Sequence, residues 1–326
     1  MTGARRLTWP ILTLIAGLSI LTVYSTFGSI HDMGMETRAV YAEQSLREYR
    51  DALSGDRAFP YQWRLLGVYL VYAGERLTGL DPHAVDVSVK VVLFGLSSAT
   101  LFLFSTFYTT TVGALLAVAL YGVLNVAGFT DGYSIYYTSD YAMIAAWFAA
   151  VYFIKCRRWY LAALMTVVGA LAKETLLLVP VLAGVQWLRG RAGLKEVALV
   201  TVAFAVPTAV LRVMYPAPLA HWAWWDMAYG NIPFLQPTLG ALLVTLKNNL
   251  KVAVFFNVLW ILAARAVRRS PDRFAADLAI TLGVYLLLAY PVVYIRELRH
   301  FLPLAIGILP LAISEIERQT DRPSGA

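Results

Sequence analysis

Apolar residues in this chain occur in long runs without any charged side chain. Residues 7–30 contain no charge over 24 positions, and residues 91–130 contain none over 40. A helix needs ~20 apolar residues to cross the ~30 Å hydrocarbon core of a bilayer. The first run therefore predicts one spanning helix, and the second predicts two that are joined near residues 108–111.

Two shorter runs predict an interrupted hairpin. Residues 159–172 and 175–188 are uncharged stretches of 14 positions each, separated by Lys173 and Glu174. As a helix each reaches only ~21 Å. One long tilted helix would bury Lys173 and Glu174 at mid-membrane, whereas a hairpin of two short helices keeps the flanking basic loops on one side. The hairpin over 159–188 is preferred, because irregular backbone within a membrane is tolerated where it lines a protein cavity.

The composition supports a polytopic membrane protein. Hydrophobic residues make up 59% of the chain, charged residues only 14%, and mean hydropathy is +0.63, whereas soluble domains are about a quarter charged. The predicted fold is therefore an all-α transmembrane bundle of about ten membrane segments, two of them short, forming a single domain over 1–326. A single cysteine, Cys156, excludes an internal disulfide, and no cluster of ligands suggests a metal or cofactor.

Basic clusters give the expected topology. Arg5 and Arg6, together with the clusters around residues 155–158, 189–195 and 265–273, are typical of cytoplasmic loops. The concentration of basic residues in cytoplasmic loops explains the net charge of +7 better than nucleic-acid binding does. Both termini are expected to be cytoplasmic. Residues 31–84 then form a first outer loop with juxtamembrane helices, and residues 215–238 form an outer aromatic loop.

The residues that could take part in catalysis or binding lie on the expected outer side. Asp32 follows the first span and suits a general base for a hydroxyl group. Cations at leaflet level suit a phosphate or pyrophosphate head group, and aromatic planes suit sugar rings, although an interfacial aromatic belt explains the tryptophans equally well. The candidate substrate-positioning residues are Glu36, Arg64, Glu174, His221, Trp224, Glu297 and His300, and the candidate donor-phosphate residues are Lys173, Lys247, Lys251, Arg296 and Arg299.

Several of these features resemble the GT-C superfamily of integral membrane glycosyltransferases that use polyprenyl-phosphate sugars. The resemblance rests on an acidic stretch after the first span, surface helices in the first outer loop, the broken hairpin reading Ala-Lys-Glu-Thr at 172–175, and Glu297-Leu-Arg299 before a proline-containing last helix. It implies that the first-loop carboxylate is the base and that basic residues hold the lipid phosphate. Many members have two adjacent carboxylates there, whereas this chain has Asp32 and Glu36, so either is a candidate.

The resulting hypothesis is transfer of a sugar from a polyprenyl-phosphate donor to a lipid or glycan acceptor. Inversion of the anomeric carbon is expected, because Asp32 is a single strong candidate carboxylate. The expected location is a bacterial inner or plasma membrane, with the active site facing outward and membrane lipids as neighbours. Two alternatives remain at this point: a lipid-linked sugar flippase, and a membrane acyltransferase that depends on a histidine such as His300.

Overall fold

A computed structural model describes residues 7–31, 64–130, 138–215, 231–232, 236–289 and 297–321. All regular structure in these ranges is helical, with no strand, which confirms the all-α prediction. Residues 32–63 of the predicted first outer loop and most of the aromatic loop lie outside the described residues, whereas the helix Leu65–Thr78 lies in the described part of that loop. The α-helices are α1 (Trp9–His31), α2 (Leu65–Thr78), α3 (Pro82–Ser105), α4 (Thr111–Thr130), α5 (Thr138–Lys155), α6 (Trp159–Ala172), α7 (Leu178–Leu188), α8 (Leu194–Met214), α9 (Leu239–Phe256), α10 (Leu259–Arg269), α11 (Arg273–Ala289) and α12 (Ala305–Thr320).

Six segments in the described ranges are long and apolar enough to cross a membrane. This agrees with an integral membrane protein, while the count of ten segments stays a prediction. The turn between α3 and α4 lies at residues 106–110, close to the predicted position. The six segments are Trp9–Phe27, Pro82–Ser105, Thr111–Phe129, Leu194–Met214, Leu239–Phe256 and Leu298–Thr320.

The short apolar helices α6 and α7 are separated at the predicted charges. Lys173 has an extended backbone (φ −166°, ψ 146°), and a 3-10 turn, Glu174–Leu177, leads into α7. Leu176 of this turn packs so tightly on α6 that a Cβ added at Gly169 would lie 2.4 Å from its Cγ. Both short helices pack against α8. Their arrangement as a hairpin across the membrane stays a prediction.

One predicted helix is broken. The sequence predicts a helix that returns inward from the aromatic loop to Arg265, with Lys247 ~27 Å away near the outer boundary. In the structure this helix ends at Phe256, and Asn257 adopts a positive φ of 48° before α10 begins. The combination of φ 48° and ψ −131° is uncommon for a residue other than glycine, so the chain departs sharply from helical geometry here. The expected ~27 Å between Lys247 and Arg265 along one helix axis therefore does not apply, and this part of the prediction is wrong.

The chain divides into two compact units. Unit 1 contains the described residues of 101–134 and 218–326, and unit 2 contains those of 7–100 and 135–217. In unit 1, α12 packs against α10 and α4. The α3–α4 turn is held by Tyr108, whose hydroxyl donates to Asp272 Oδ2 at 2.7 Å, and by Thr110, whose backbone N–H donates to the Glu317 carboxylate. Burial, and then the neighbouring Asp272 carboxylate, raise the pKa of Tyr108 well above its usual range.

Candidate functional site

One end of unit 2 brings together helix ends that are far apart in the chain. The last turns of α1 meet the first turns of α3, where the Phe27 ring contacts His83 edge to face at 5.7 Å between centroids. The ammonium of Lys90 lies 5.4 Å from the centroid of the same Phe27 ring. A cation over an aromatic face is electrostatically favourable, more so away from water. The end of α1 that precedes Asp32 is thus anchored to α3 by a cation.

Asp86 connects α3 to the start of α5. Its two carboxylate oxygens accept hydrogen bonds from the Lys90 ammonium, one helical turn along α3, and from the Thr138 hydroxyl. Lys90 is completely buried. An ammonium away from water is costly unless it is paired, so Asp86 and Phe27 together explain how Lys90 remains inside the bundle.

Asp140, in the first turn of α5, pairs with Lys173 at the break between α6 and α7. Lys173 Nζ donates to Asp140 Oδ1 at 2.5 Å, and the two side chains are only 6% and 4% exposed. The extended backbone of Lys173 ends α6 at this pair. The extended backbone that separates the two short helices therefore also positions the Lys173 ammonium beside Asp140.

Arg64 and Glu174 form the more accessible edge of this region. Arg64 Nη2 lies 3.6 Å from Glu174 Oε2, and the side chains are 14% and 32% exposed. The backbone carbonyl of Arg64 accepts a hydrogen bond from the Ser139 hydroxyl at 3.3 Å. Arg64 is therefore attached to α5 through its backbone, while its guanidinium lies beside the more exposed carboxylate.

We call these residues the polar cluster: Arg64, Asp86, Lys90, Asp140, Lys173 and Glu174. It contains three cations and three carboxylates, so it is neutral when every group is ionised. Charged side chains inside membrane bundles are rare and pair with one another, and they mark functional sites by default. The balance of charges explains how they are accommodated, and it means that an added ligand has to displace an existing pair.

The close approach of α2 to α5 next to Arg64 depends on Gly67. A Cβ added there would lie 2.7 Å from the backbone N of Ser139. We expect Gly67→Ala to lower the free energy of unfolding by about 1–3 kcal/mol, because the helices must separate. Chemical unfolding of the purified protein in detergent measures this.

Gly17→Ala in α1 is the matched control for Gly67→Ala. A Cβ at Gly17 would have no atom within 4 Å, and alanine in a helix interior is favoured over glycine by roughly 0.5–1 kcal/mol. Equal effects of the two substitutions would show that the contact between α2 and α5 is not tight.

Unit 1 carries a separate group of polar residues, Glu297, Arg299 and His300, at the start of the 3-10 segment Leu298–Leu304. Glu297 Oε2 accepts from Arg299 Nη2 at 2.7 Å and lies 3.0 Å from His300 Nε2. Burial would raise the pKa of Glu297, but the hydrogen bonds and charges of His300 and Arg299 outweigh it and lower the pKa to about 2. The backbone carbonyl of His300 accepts from the Tyr285 hydroxyl at 2.5 Å.

The structure brings together only some of the predicted site residues. Arg64, Lys173 and Glu174 meet in unit 2, and Glu297, Arg299 and His300 meet in unit 1. Lys247 and Lys251 lie four residues apart on α9 and share a face of it. Their proposed roles stay predictions. Asp32, Glu36, His221, Trp224 and Arg296 lie outside the described residues.

Sequence reasoning missed Asp86 and Lys90. Both lie between the predicted first outer loop, 31–84, and the uncharged run that begins at residue 91, and neither is among the candidate site residues. Their signal was present, because opposite charges four residues apart share a helix face and pair. A lysine at the edge of an apolar span, with a carboxylate one turn before it, indicates a buried ion pair.

The described residues contain no group of three or more His, Cys, Asp or Glu side chains that could hold a metal ion. Compared with known proteins, the chain matches no family model, no curated protein and no solved structure. The fold and the site thus define a helical protein with membrane-length apolar helices and a buried, charge-balanced polar cluster at one end of unit 2.

Proposed function

We propose that this protein is a membrane glycosyltransferase that moves a sugar from a polyprenyl-phosphate donor to a hydroxyl group of a lipid or glycan acceptor. The observation that carries the proposal is the polar cluster. Six ionisable side chains gather at the end of unit 2 where α1 ends, directly before Asp32 in the sequence. Such a concentration of charge in an apolar bundle is expected where a polar head group has to be handled.

Within the cluster, Arg64 is better suited than Lys173 to contact the donor phosphate. Lys173 is engaged with Asp140 at 2.5 Å and is almost fully buried. Arg64 is more exposed, and its guanidinium lies 3.6 Å from Glu174, longer than a close hydrogen bond. A guanidinium can hold two phosphate oxygens at once. In this proposal phosphate replaces Glu174 beside Arg64, and Lys173 positions the break between the short helices.

The proposed reaction uses Asp32 as general base. Asp32 accepts the proton of the acceptor hydroxyl while the oxygen of that hydroxyl forms a bond to the anomeric carbon of the sugar. The bond from that carbon to the phosphate oxygen breaks on the opposite face, so the configuration inverts and polyprenyl phosphate leaves as an anion beside the cations. No redox partner is needed, and the charge that develops on the leaving group is stabilised by Arg64.

Asp32→Asn tests the mechanism. An amide cannot accept the proton, so we expect the rate of sugar transfer from a polyprenyl-phosphate sugar to fall by roughly 10²–10⁴-fold. Asp81→Asn is the matched control, because Asp81 is an exposed acid whose carboxylate accepts from the backbone N–H groups of His83 and Ala84, and asparagine caps helices equally well. Undiminished turnover by folded Asp32→Asn protein would remove Asp32 from the mechanism.

Asp32→Asn also distinguishes a lipid-linked sugar flippase from a glycosyltransferase. A flippase needs cations for the head group but no base, so it would move lipid-linked sugar across vesicles without forming product. Asp32→Asn would leave that movement intact. Transport without transfer, unaffected by the substitution, would therefore replace the transferase proposal.

The polar group in unit 1 favours acyl transfer as the second candidate function. His300 lies 3.0 Å from the Glu297 carboxylate, and a carboxylate orients an imidazole for service as a general base. Loss of acyl transfer in His300→Ala, with Asp32→Asn fully active, would support this candidate over the transferase.

A further inference from the structure

The opposite end of unit 2 contains a basic cavity that the proposed function does not use. It has a volume of about 470 Å³ and lies between the turn that joins α5 to α6 and the start of α8. Arg157, Arg158 and Lys195 line it together with the aromatic side chains of Trp159 and Tyr160. We call it the basic cavity.

Two helices begin at the basic cavity. The first turn of α6 and the first turn of α8 both contribute to its wall. Arg158, which precedes α6, does not cap that helix with its side chain, and Gly193, which precedes α8, has no side chain to do so. The first backbone N–H groups of a helix have no partner within the helix, and the helix dipole adds positive potential there. At the start of α6 the backbone and the side-chain cations thus favour the same kind of ligand, an anion, whereas the start of α8 already faces the carboxylate of Glu196.

The cations of the cavity are not neutralised by acidic neighbours. Three cations and one carboxylate, Glu196, line it. Glu196 lies over the start of its own helix, since a Cβ added at Gly193 would be 2.5 Å from Glu196 Oε2. Among the residues that the structure describes, no ion pair joins Arg158 or Lys195 to a carboxylate. The local charge therefore remains positive.

The cavity lies at the depth of a lipid head group. α5 runs from the polar cluster to the cavity over 18 residues, which is ~27 Å of helix and close to the thickness of the hydrocarbon core. The Tyr160 side chain is 82% exposed, and tyrosine and tryptophan concentrate at the membrane–water interface. An occupant of this cavity would have an anionic head and an adjoining apolar part.

We propose that the basic cavity binds the head group of an anionic phospholipid in the leaflet opposite the polar cluster. Arg158 and Lys195 hold the phosphate, and Arg157, which also donates to the backbone carbonyl of Arg191, adds positive charge beside it. The aromatic rings lie at the glycerol level, and the acyl chains run along the apolar surface of α6 and α8. Basic cavities between membrane helices recognise such lipids in this way. The binding is independent of the proposed glycosyl transfer.

The test compares two lipids and two matched variants. Full-length protein in nonionic detergent is titrated with phosphatidylglycerol or phosphatidylcholine, and bound lipid is counted by native mass spectrometry. We expect phosphatidylglycerol to bind at least about tenfold more tightly, and Arg158→Gln/Lys195→Gln to weaken it by about tenfold or more. The control, Arg265→Gln/Arg268→Gln, removes the same charge from exposed positions of α10 and should change binding by less than about twofold.

Further outcomes decide the identity of the ligand. The charge-retaining variant Arg158→Lys/Lys195→Arg should bind phosphatidylglycerol nearly normally, and the single Lys195→Gln variant gives the same comparison if the double variant does not fold. Equal affinity for the two lipids, or equal loss in the α10 control, would overturn the proposal. Displacement of the lipid by millimolar inorganic phosphate would also overturn it and would indicate a site for small soluble anions.

Discussion

Lys173→Met is expected to lower the free energy of unfolding by about 3–5 kcal/mol, the cost of removing one partner from a buried ion pair. The cause is the carboxylate that remains. Asp140 is 4% exposed and accepts from Lys173 at 2.5 Å, so it would stay buried without its main counter-charge. Unfolding of the detergent-solubilised variant, followed by circular dichroism against denaturant, measures the loss.

A double-mutant cycle separates the pair from the rest of the polar cluster. Replacing both charges, in Lys173→Met/Asp140→Leu, removes the uncompensated carboxylate, and such replacements are often neutral or stabilising. The double variant should therefore be much more stable than the sum of the single effects. Lys247→Met, on an exposed position of α9, is the control for losing a lysine and should not destabilise. Additive single effects would mean that Lys173 and Asp140 do not depend on each other.

The double variant also tests what Lys173 does. If it folds and transfers sugar at a normal rate, Lys173 is a positioning residue for the break between α6 and α7. A raised KM for the donor in a stable double variant would instead place Lys173 at the phosphate. The stability and the kinetics of one protein thus answer separate questions.

Acidification is expected to destabilise unit 1 between about pH 4.5 and pH 2 through Glu297. Its folded-state pKa is about 2, against an ordinary value of 4.5. Because the folded-state pKa is lowered, the stabilisation is complete above pH 4.5 and is lost as the pH falls toward 2. The difference between these two pKa values corresponds to ~3 kcal/mol of stability. This is an upper limit, because the Glu297 side chain is 17% exposed and water weakens its interactions.

Glu297→Gln isolates this contribution. The variant should be less stable than the parent protein at pH 6, and the difference between them should shrink as the pH falls from 4.5 to 2. Equilibrium unfolding at a series of pH values measures both. Glu317→Gln, in α12, tests whether a carboxylate elsewhere in unit 1 has the same effect. A constant difference between parent and Glu297→Gln protein across this range would contradict the assigned pKa.

The all-helical class could be predicted from the sequence. Uncharged runs longer than a bilayer requires, such as residues 91–130, leave only a helical solution, because the backbone must satisfy its own hydrogen bonds in lipid. The break at Lys173 was also predictable, because Lys173 and Glu174 interrupt two apolar runs that are each too short to cross a membrane. The break at Asn257 was not, because no charge or proline lies there and only the positive φ of one residue marks it.

The site was predicted less completely. Arg64, Lys173 and Glu174 were singled out as unusual charges at an expected membrane boundary, and they do meet. The partner of Lys173, Asp140, comes from α5, which begins elsewhere in the chain. Asp86 of α3 likewise contacts Thr138 at the start of α5. Sequence spacing relates residues within one helix but does not tell which helix ends pack together, so the pairing could not be derived.

By itself, the sequence determined that this chain forms apolar helices and where charges interrupt them, because transfer free energy depends on local composition. Only the tertiary structure decided that the Lys90–Asp86 pair lies against Phe27 and Thr138, that Lys173 pairs with Asp140, and that the starts of α6 and α8 share a basic cavity. These arrangements depend on which helix surfaces pack together, a choice made by the fit of side chains over the whole unit rather than by any one segment.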